Sequence, residues 1–571
     1  ATGIDLALLV VAADDSIMPQ TREHLEILKL LRVRRGLIAL TKADLVDETT
    51  REVAGLEVRE LVRGSFLDGA PIVHTSAHTG LGVAELRAAL ASVASTIPER
   101  DGNEWFRLPI DRAFVVQGHG TVVTGSVVTG SVAAGDELEW HKGDGTSELV
   151  RARGLNNHGH PADEVHRGQR AAVNLAGVPH ELVHRGQELA RPGYLVATKV
   201  LTVRLLASGD GKHGIKHRLP LRLHIGTAEV MATVSLLDCD AIGPGQWGLA
   251  QLFLVDPVSA VWGQPFVVRD SSAEHTLGGG QVLQPNATKV RRRHIEAIEH
   301  IEKLWSDDAE TRARAVAWFA GFHGFASGDL VRSAGAAPDH VDSLVASLTT
   351  AGAVAELVLA SNRRALIHAD RIAELEARVL DTLAAMHSEN PLMTNHDRQK
   401  VLAKLAYIGA EPLLQTITDH LMRAKKVVGD ARRIARADFK PKLSANQRKL
   451  KDKIVEAHVA APFTPPEPKE FVNQAGGNAS ALNDIFEVAC AEGFLVRITA
   501  EFYLSAEAEA EMRRRVSERL VGGSGATVAE IRDLLGTTRK YAVPVCEYLD
   551  RIGLTKRTGD VRVLTRPGVP T

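Results

Sequence analysis

The chain has 571 residues, a net charge of −2 and three cysteines. This length is too great for one hydrophobic core and predicts about 3 to 6 domains, and the balanced charge excludes a globally basic nucleic-acid-binding protein. The cysteines are far apart and form no Cys-x-x-Cys pair, which excludes a disulfide framework and a thiolate zinc site. No apolar run approaches the roughly 18 residues of a membrane span. We therefore expect a cytoplasmic protein without membrane segments.

Apolar runs alternate with amphipathic helical stretches from residue 1 to residue 98. The runs are IDLALLVVAADD, GLIALTKAD and APIVHTSAHTG, and the helical stretches are PQTREHLEILKLLRV, VAGLEVRELVRG and GVAELRAALASVAS. Strands that alternate with helices predict an α/β domain with a doubly wound parallel sheet. Ligands of such sheets bind beyond the carboxyl ends of the strands.

Polar residues follow the second and third of these strands, namely Thr41, Lys42 and Asp44, then Ser76 and Ala77. The edge of guanine carries two adjacent donors, and one carboxylate such as that of Asp44 can accept both. Adenine lacks the amine, so this pairing discriminates by about 1–3 kcal/mol, by analogy with base readout elsewhere. The stem of Lys42 can cover the base, Thr41 can tie the loop together, and Ser76-Ala77 can offer a backbone N–H. We predict a guanine-binding site, with an ordinary surface turn as the alternative.

No Gly-x-x-x-x-Gly-Lys-Ser/Thr segment accompanies this guanine-reading half. Phosphate binding requires backbone N–H groups at a helix N-terminus together with a lysine. The chain begins at Ala1, almost directly in a strand. We therefore expect an N-terminally truncated sequence that by itself binds and hydrolyses GTP poorly.

The pattern becomes purely β after residue 104. FRLPIDRAFVVQGHGTVVTGSVVTGSVAAGDELEW contains short β-branched runs separated by glycines, without a helical period. Such spacing predicts a β-barrel over residues 104–192, and a second stretch of this kind predicts another barrel over residues 197–287.

The remainder of the chain is helical and contains a weak internal repeat. Each copy has a short helix, a turn of small residues, a longer amphipathic helix and a strand-like tail, with a glycine before the tail in three of the copies. This order predicts winged helix-turn-helix domains, which we place at residues 290–368, 371–438, 445–505 and 508–571.

Basic and hydroxyl side chains cluster in the last copy. A helix N-terminus with hydroxyl groups and nearby cations suits phosphates, and an aromatic ring can stack on an unpaired RNA base. We predict an RNA-binding site there, with a protein-contact role and a core tyrosine as the alternative. The residues of this predicted site are Thr537, Thr538, Arg539, Lys540, Tyr541, Lys556 and Arg557.

These stretches resemble a known family. ALLVVAADDSIMPQTREHL, LTKADLV and VVTGSV resemble translational GTPases of the elongation factor Tu group. The threonine of TKAD, the barrel opening FRLPIDRAF and the four winged helices resemble SelB, the selenocysteine-specific elongation factor family, over essentially the whole chain. The resemblance implies GTPase activity with GTP and Mg²⁺. The phosphate loop, the switch regions and the Mg²⁺ ligands are then expected in a segment that this sequence lacks.

The resemblance also implies a pocket for the aminoacyl end of a tRNA. Asp111, Arg112 and Arg170 match the family positions proposed to surround the selenocysteinyl group, and His119 is a further candidate. A selenol is more acidic than a thiol and is largely an anion at neutral pH, whereas cysteine, with a pKa of about 8.5, is neutral. Two guanidinium groups restrained by one carboxylate would reward that anion and penalise serine. A structural Asp–Arg pair is the alternative.

The implied function is delivery of selenocysteinyl-tRNA to the ribosome, in a GTP-dependent manner, at an mRNA hairpin beside a recoded UGA codon. The implied partners are that tRNA, the hairpin and the ribosome, and we expect a monomer. An ordinary elongation factor is a related alternative, against which the winged helices count. From another class, a winged-helix nucleic-acid-binding regulator with a decayed GTPase domain would prefer duplex DNA and dimerise.

Overall fold

The protein is described by a computed structural model at residues 3–97, 104–118, 120–209, 214–360, 363–441, 443–475, 479–521 and 525–565. The candidate His119 lies outside these residues. The chain forms two compact units, the first Ala1–Leu357 with Arg363–Arg371 and the second Val358–Asn362 with Ile372–Thr571. Within the described ranges, no helix has both the length and the apolar character needed to cross a membrane.

The first region is the predicted parallel sheet, in the order β1-β2-β3. The central strand is apolar because it is covered on both faces, and Leu37, Ile38 and Leu40 are fully buried. The second helix begins earlier than its apolar pattern suggests, since Asp47 caps it by accepting a hydrogen bond from the Thr50 N–H at 2.8 Å. The elements are β1 (Ala7–Ala12), α1 (Pro19–Leu30), β2 (Gly36–Thr41), α2 (Glu48–Val62), β3 (Ile72–His74) and α3 (Val83–Ala94).

The first predicted barrel is confirmed. Six of its strands close into a ring in the order β11-β5-β4-β12-β7-β8, because β11 pairs with both β5 and β8. Its strands are β4 (Arg107–Val116), β5 (Gly120–Ser126), β6 (Ser131–Ala133), β7 (Glu137–His141), β8 (Ser147–Asn157), β9 (His160–Ala162), β10 (Glu164–His166), β11 (Arg170–Leu175) and β12 (Glu188–Ala190).

The second predicted barrel is confirmed as well, as a closed ring in the order β13-β18-β16-β15-β19-β20. Along β13 the inward side chains are aliphatic and fully buried, namely Leu201, Val203 and Leu205. Its strands are β13 (Ala197–Ala207), β14 (Ile215–Lys216), β15 (Pro220–Ile225), β16 (Ala228–Leu236), β17 (Ala241–Ile242), β18 (Trp247–Ser259), β19 (Pro265–Arg269) and β20 (Thr276–Gln284).

The helical part repeats one order of elements, in which helices are followed by two short strands. The first two copies contain α4 (Ile295–Lys303), α5 (Ala309–Phe319), α6 (Ser327–Ala334), α7 (Val341–Thr350), β21 (Val354–Ala360) and β22 (Arg363–His368), then α8 (Ala369–Glu389), β23 (His396–Asp397), α9 (Arg398–Lys404), α10 (Glu411–Arg423), β24 (Val427–Gly429) and β25 (Arg433–Arg436). The last two contain α11 (Ala445–Ala460), α12 (Ala479–Ala491), β26 (Leu495–Thr499) and β27 (Phe502–Ser505), then α13 (Ala506–Leu520), β28 (Ala526–Thr527), α14 (Val528–Leu535), α15 (Arg539–Arg551), β29 (Thr555–Thr558) and β30 (Val561–Leu564).

All four copies share a left-handed residue just after the longer helix, although their sequences differ. In three copies the longer helix ends at a left-handed glycine, with φ of 69° at Gly352, 80° at Gly493 and 76° at Gly553. The remaining copy has no glycine there, and Lys425 takes the same conformation with φ of 56°. The turn is therefore kept at a lysine, although a left-handed conformation costs a residue other than glycine roughly 1–2 kcal/mol.

Candidate functional site

The predicted guanine-binding residues come together where β2 and β3 end. These strands are parallel with Leu40 opposite His74, so the loops that follow them lie side by side. The Ala43 N–H donates to the Thr75 carbonyl at 3.1 Å, and the Thr41 hydroxyl donates to the Val11 carbonyl at 3.3 Å. Thr41 therefore ties its loop to the neighbouring strand β1.

Charged groups in this loop are held by defined partners. The Lys42 ammonium donates to Asp14 at 2.8 Å and to Asp15 at 3.1 Å, and these two carboxylates raise its pKa. A hydrogen bond from the buried Ser76 hydroxyl lowers the pKa of Asp44, whose carboxylate is fully exposed. The carboxylate that would accept from guanine is thus ionised and accessible.

The backbone donors of Ser76 and Ala77 are not equivalent. The Ser76 N–H already donates to the Leu81 carbonyl at 2.9 Å. Ala77 is exposed. Of the pair expected to reach the carbonyl oxygen of the base, Ala77 is therefore the better placed.

A second site lies on the first barrel, where three neighbouring strands bring Asp111, Thr124 and Arg170 together. On β4, Asp111 occupies a bulge, since Ile110 faces Gly125 and Arg112 faces Thr124 across β5. The Arg170 guanidinium forms a two-point bond with Asp111, at 2.6 and 2.9 Å, and the Thr124 hydroxyl donates to the same carboxylate at 2.9 Å.

The electrostatics of this pair favour its charged form. Burial alone would raise the pKa of Asp111, but the bonds from Arg170 and Thr124 outweigh it, and the pKa is lowered overall. The hydrogen bonds that Arg170 donates to Asp111 raise the pKa of the guanidinium in turn. From the sequence, one carboxylate is expected to restrain two guanidinium groups. Asp111 bonds to Arg170 in this way, whereas the exposed Arg112 acts on Asp111 through its charge.

Asp111, Arg112 and Arg170 line one cavity of about 560 Å³. A fourth charged group in its wall, Arg185, was not among the sequence candidates. Its guanidinium donates to the Thr227 carbonyl of the second barrel at 3.4 Å. Three guanidinium groups and one carboxylate leave this wall positive, which suits an anionic ligand. The full lining is Gly3, Ile4, Pro109, Asp111, Arg112, Ser126, Arg170, Arg185, Gly226 and Thr227.

The third predicted site, at the start of α15, is divided in the structure. Three of its residues bond to the segment Phe463–Glu467. The Thr537 hydroxyl donates to the Phe463 carbonyl at 2.5 Å, the Tyr541 hydroxyl donates to the Pro465 carbonyl at 3.1 Å, and Lys540 forms an ion pair with Glu467.

The Tyr541 ring also packs at 5.1 Å from the Phe502 ring, beside the core of this region. Tyr541 therefore belongs to a partly buried cluster. This agrees with the alternative of a core tyrosine and not with a ring that is open for stacking on an RNA base. Further along α15, Pro544 lies inside the continuous helix.

The other members of the predicted RNA site face solvent. Thr538 precedes the first residue of α15 and makes no side-chain cap, and it is exposed together with Arg539, Lys556 and Arg557. The Arg557 guanidinium donates to the Gly559 carbonyl at 3.1 Å within the β29–β30 hairpin. In the part of the chain that the structure describes, Arg539 and Lys556 form no ion pair.

Four family models match the chain, each over one region. They are the Elongation factor Tu GTP binding domain at residues 1–96, Elongation factor Tu domain 2 at 120–190, the Selenocysteine-specific elongation factor beta-barrel domain at 202–289, and the Elongation factor SelB winged helix at 522–564. The selenocysteine-specific elongation factor of Desulfomicrobium baculatum is 33% identical over 99% of this chain and 88% of its own length. The chain belongs to the selenocysteine-specific elongation factor family.

Other relatives of this elongation factor agree with the assignment. The selenocysteine-specific elongation factor of Escherichia coli K12 is 29% identical over 98% of the chain and 87% of its own length. A crystal structure of the bacterial selenocysteine-specific elongation factor EF-Sec superimposes with a TM-score of 0.59 at 26% identity, covering 99% of this chain and 87% of that one. Elongation factor Tu 2 of Streptomyces avermitilis is 33% identical but covers 49% of the chain. The full-length matches favour the selenocysteine-specific family over both alternatives, an ordinary elongation factor and a winged-helix regulator.

Proposed function

We propose that this selenocysteine-specific elongation factor delivers selenocysteinyl-tRNA to the ribosome at an mRNA hairpin beside a recoded UGA codon, in a GTP-dependent manner. The observation that carries the proposal is the positive cavity of the first barrel in a chain that also has a SelB winged helix. The names of the full-length relatives support it.

In this proposal the cavity receives the selenocysteinyl group. Asp111 fixes the Arg170 guanidinium through two bonds, so that it presents its charge at one place without a loss of side-chain entropy on binding. Arg112 and Arg185 complete the positive wall. A selenolate gains a charge-assisted interaction there, whereas a neutral seryl hydroxyl leaves the guanidinium groups without an anion.

We propose GTP as the nucleotide, with its base read by Asp44 and positioned by Thr41, Lys42, Ser76 and Ala77. The exposed, ionised Asp44 carboxylate beside the ordered Lys42 loop fits the two donors of guanine. Among the described residues no group of three or more His, Cys, Asp or Glu side chains could hold a metal ion. We propose Mg²⁺ as the accompanying ion because the GTPase family implies it.

For RNA, we propose that the last domain binds the hairpin through Thr538, Arg539, Lys556 and Arg557, which are exposed. Thr537, Lys540 and Tyr541 would join them only when the segment Phe463–Glu467 releases their side chains. The proposed domain division is 1–98 for the GTP-binding part, 104–192 and 197–287 for the barrels, and 290–368, 371–438, 445–505 and 508–571 for four winged helices. The repeated order of helices and strand pairs supports it.

The test compares one tRNA carrying either selenocysteine or serine. We expect the selenocysteinyl form to bind more tightly at neutral pH, and the difference to shrink as the solution is acidified and the selenol becomes protonated. Binding is measured by protection of the aminoacyl ester from hydrolysis. Equal protection of both aminoacyl forms across this pH range would contradict the proposal.

A further inference from the structure

A cluster of tryptophan and arginine side chains lies on the outer face of the second barrel, away from the three sites above. The register of β13 explains how it forms. Val203 and Leu205 point into the buried core, so Arg204 and Leu206 point outward. Across the neighbouring strands, Leu206 lies opposite Trp247 and Arg204 lies opposite Gln281.

The rings and guanidinium groups of this cluster alternate. The Arg204 guanidinium carbon lies 4.8 Å from the centre of the Trp247 ring and 4.2 Å from that of Trp305. The Arg32 guanidinium carbon lies 5.4 Å from the centre of the same Trp305 ring. Trp247 is nonetheless 45% exposed, which is unusual for so large an apolar side chain.

The charge of the cluster is poorly compensated. Burial lowers the pKa of Arg204. Burial lowers the pKa of Arg32 too, and the charges of Arg34 and Arg204 lower it further, with an opposing contribution from Asp307. The Arg32 guanidinium donates to the neutral Gln281 amide at 2.6 Å rather than to a carboxylate. An arginine whose pKa is lowered by its neighbours gains when an anion binds beside it.

A cavity of about 250 Å³ opens beside these groups. Its wall contains two cations, Lys29 and Arg32, and no carboxylate among the side chains that line it. The Lys29 ammonium lies 3.6 Å from the Glu26 carboxylate, one helical turn away, so Lys29 is partly compensated by a residue outside the lining. The lining consists of Lys29, Leu30, Arg32, Leu206, Trp247, Gly280, Gln281 and Trp305.

We propose that this cavity binds one nucleotide of a single-stranded RNA, with the base stacked on Trp247 and the adjoining phosphate held by Arg32 and Lys29. Exposed aromatic rings interleaved with cations are the arrangement by which proteins bind single strands without sequence preference. An acidic peptide would pair with the cations but would leave the Trp247 face without a flat partner. The site does not depend on the selenocysteinyl cavity or on the hairpin site.

The test measures fluorescence anisotropy of a labelled, unstructured oligoadenylate with the full chain. Trp247→Ala is expected to weaken binding by about 5- to 150-fold, the equivalent of the ~1–3 kcal/mol of one stacked base. Trp247→Phe is expected to lie between that variant and the parent, because it keeps an aromatic face. Arg32→Gln is expected to lower the slope of log affinity against log salt by about 0.7, the value for one single-strand phosphate.

The matched control is Lys142→Ala, which removes a cation 4.8 Å from the Trp140 ring on the first barrel. Its affinity for the oligonucleotide should equal that of the parent. Two results would overturn the proposal. One is a lower unfolding temperature of Trp247→Ala with unchanged affinity, which would mean that the cluster only braces the barrel. The other is equally tight binding of free adenosine monophosphate, which would make the site one for a mononucleotide.

Discussion

The barrel cavity and the start of α15 were both expected to hold RNA-linked ligands through cations, yet they are built differently. In the cavity, Arg170 is fixed by Asp111 on a neighbouring part of the same barrel, and its charge stays directed at the opening. At the start of α15, Lys540 is fixed by Glu467, a residue from another helical copy, and this bond uses the charge that RNA would need. The ion pair within the barrel therefore orients Arg170 in the cavity, whereas the ion pair at the start of α15 neutralises Lys540.

The largest expected effect breaks the organised site. Arg170→Met removes the two-point bond to Asp111 while keeping the bulk of the side chain. A hydrogen bond to a charged group contributes about 1.5–3 kcal/mol, so the preference for selenocysteinyl- over seryl-tRNA should fall by about 10- to 150-fold. The ester-protection assay with the two aminoacyl forms measures it.

Arg167→Met is the control for this variant, since Arg167 pairs with Glu104 at 2.7 Å elsewhere on the same barrel. It should keep the parent's preference. If both variants lose the preference equally, the cavity charge is not what distinguishes the two amino acids.

The second prediction concerns the pH dependence of the second unit's stability. In the second unit, His387 is buried against the Phe439 ring at 3.7 Å, its Nε2 accepts from the Arg436 N–H, and His396 lies at 3.2 Å. Burial, and then the charge of His396, lower the pKa of His387 to about 4 from 6.5. The unfolded chain therefore binds more protons between these values, and the stability that neutral His387 supports is present above pH 6.5 and is lost as the pH falls toward 4.

Chemical denaturation of the full chain at a series of pH values measures this loss. His387→Gln should flatten the slope of the second unit's transition, because glutamine can still accept a hydrogen bond but does not titrate. By contrast, the lowered pKa of Asp111 keeps the barrel pair ionised down to below its ordinary value of 3.8. A parent protein whose unfolding midpoint is constant from about pH 7 to about pH 5 would contradict the prediction for His387.

The third prediction concerns the exposed part of the α15 site. Arg539→Ala should lower the slope of log affinity for the hairpin against log salt by about 0.9, the value for one duplex phosphate contact. The matched variant Arg532→Ala removes a half-buried arginine paired with Asp533 on the preceding helix. Its slope should not change. An unchanged slope in Arg539→Ala as well would place the RNA site elsewhere.

The smallest expected effect comes from removing the ion pair at the start of α15. Glu467→Gln releases Lys540 from its ion pair without removing the side chain. An ion pair at the protein surface contributes little to stability, so hairpin affinity should rise by no more than about 5-fold. Titration of the labelled hairpin measures it. Weaker binding than in the parent would show that Glu467 supports the RNA site rather than competing with it.

Much of the first unit could be predicted from the sequence because its signals are local. Buried apolar runs gave the strands β1 to β3, and Thr41, Asp44 and Ser76 follow them directly in the chain. The start of α2 was missed, because a cap at Asp47 determines it rather than the apolar period. Asp111 and Arg170 came from the family resemblance, since no local pattern joins residues on separate strands.

The contacts that were not predicted join distant parts of the chain. Arg185 lies in a turn without a recognisable motif, and it enters the cavity wall only through the packing of the two barrels. The segment Phe463–Glu467 meets Thr537 and Tyr541 across more than seventy residues. A single sequence shows which side chains can donate or carry charge, but it does not show which residues lie beside them. The three-dimensional structure was therefore needed to find that some residues of the α15 site are bonded and others are exposed.

Because of Pro544, the first turn of α15 should unfold locally more easily than the rest of the helix. Because proline has no N–H, the Lys540 carbonyl one turn earlier receives no helical hydrogen bond from it. The first turn, which carries Arg539, Lys540 and Tyr541, is therefore joined to the rest of the helix by one hydrogen bond fewer than it would be without proline at this position. We expect its backbone amides to exchange with deuterium faster than those beyond Val545. The end of the helix that meets the segment Phe463–Glu467 can thus fray and re-form while the buried remainder of α15 stays folded.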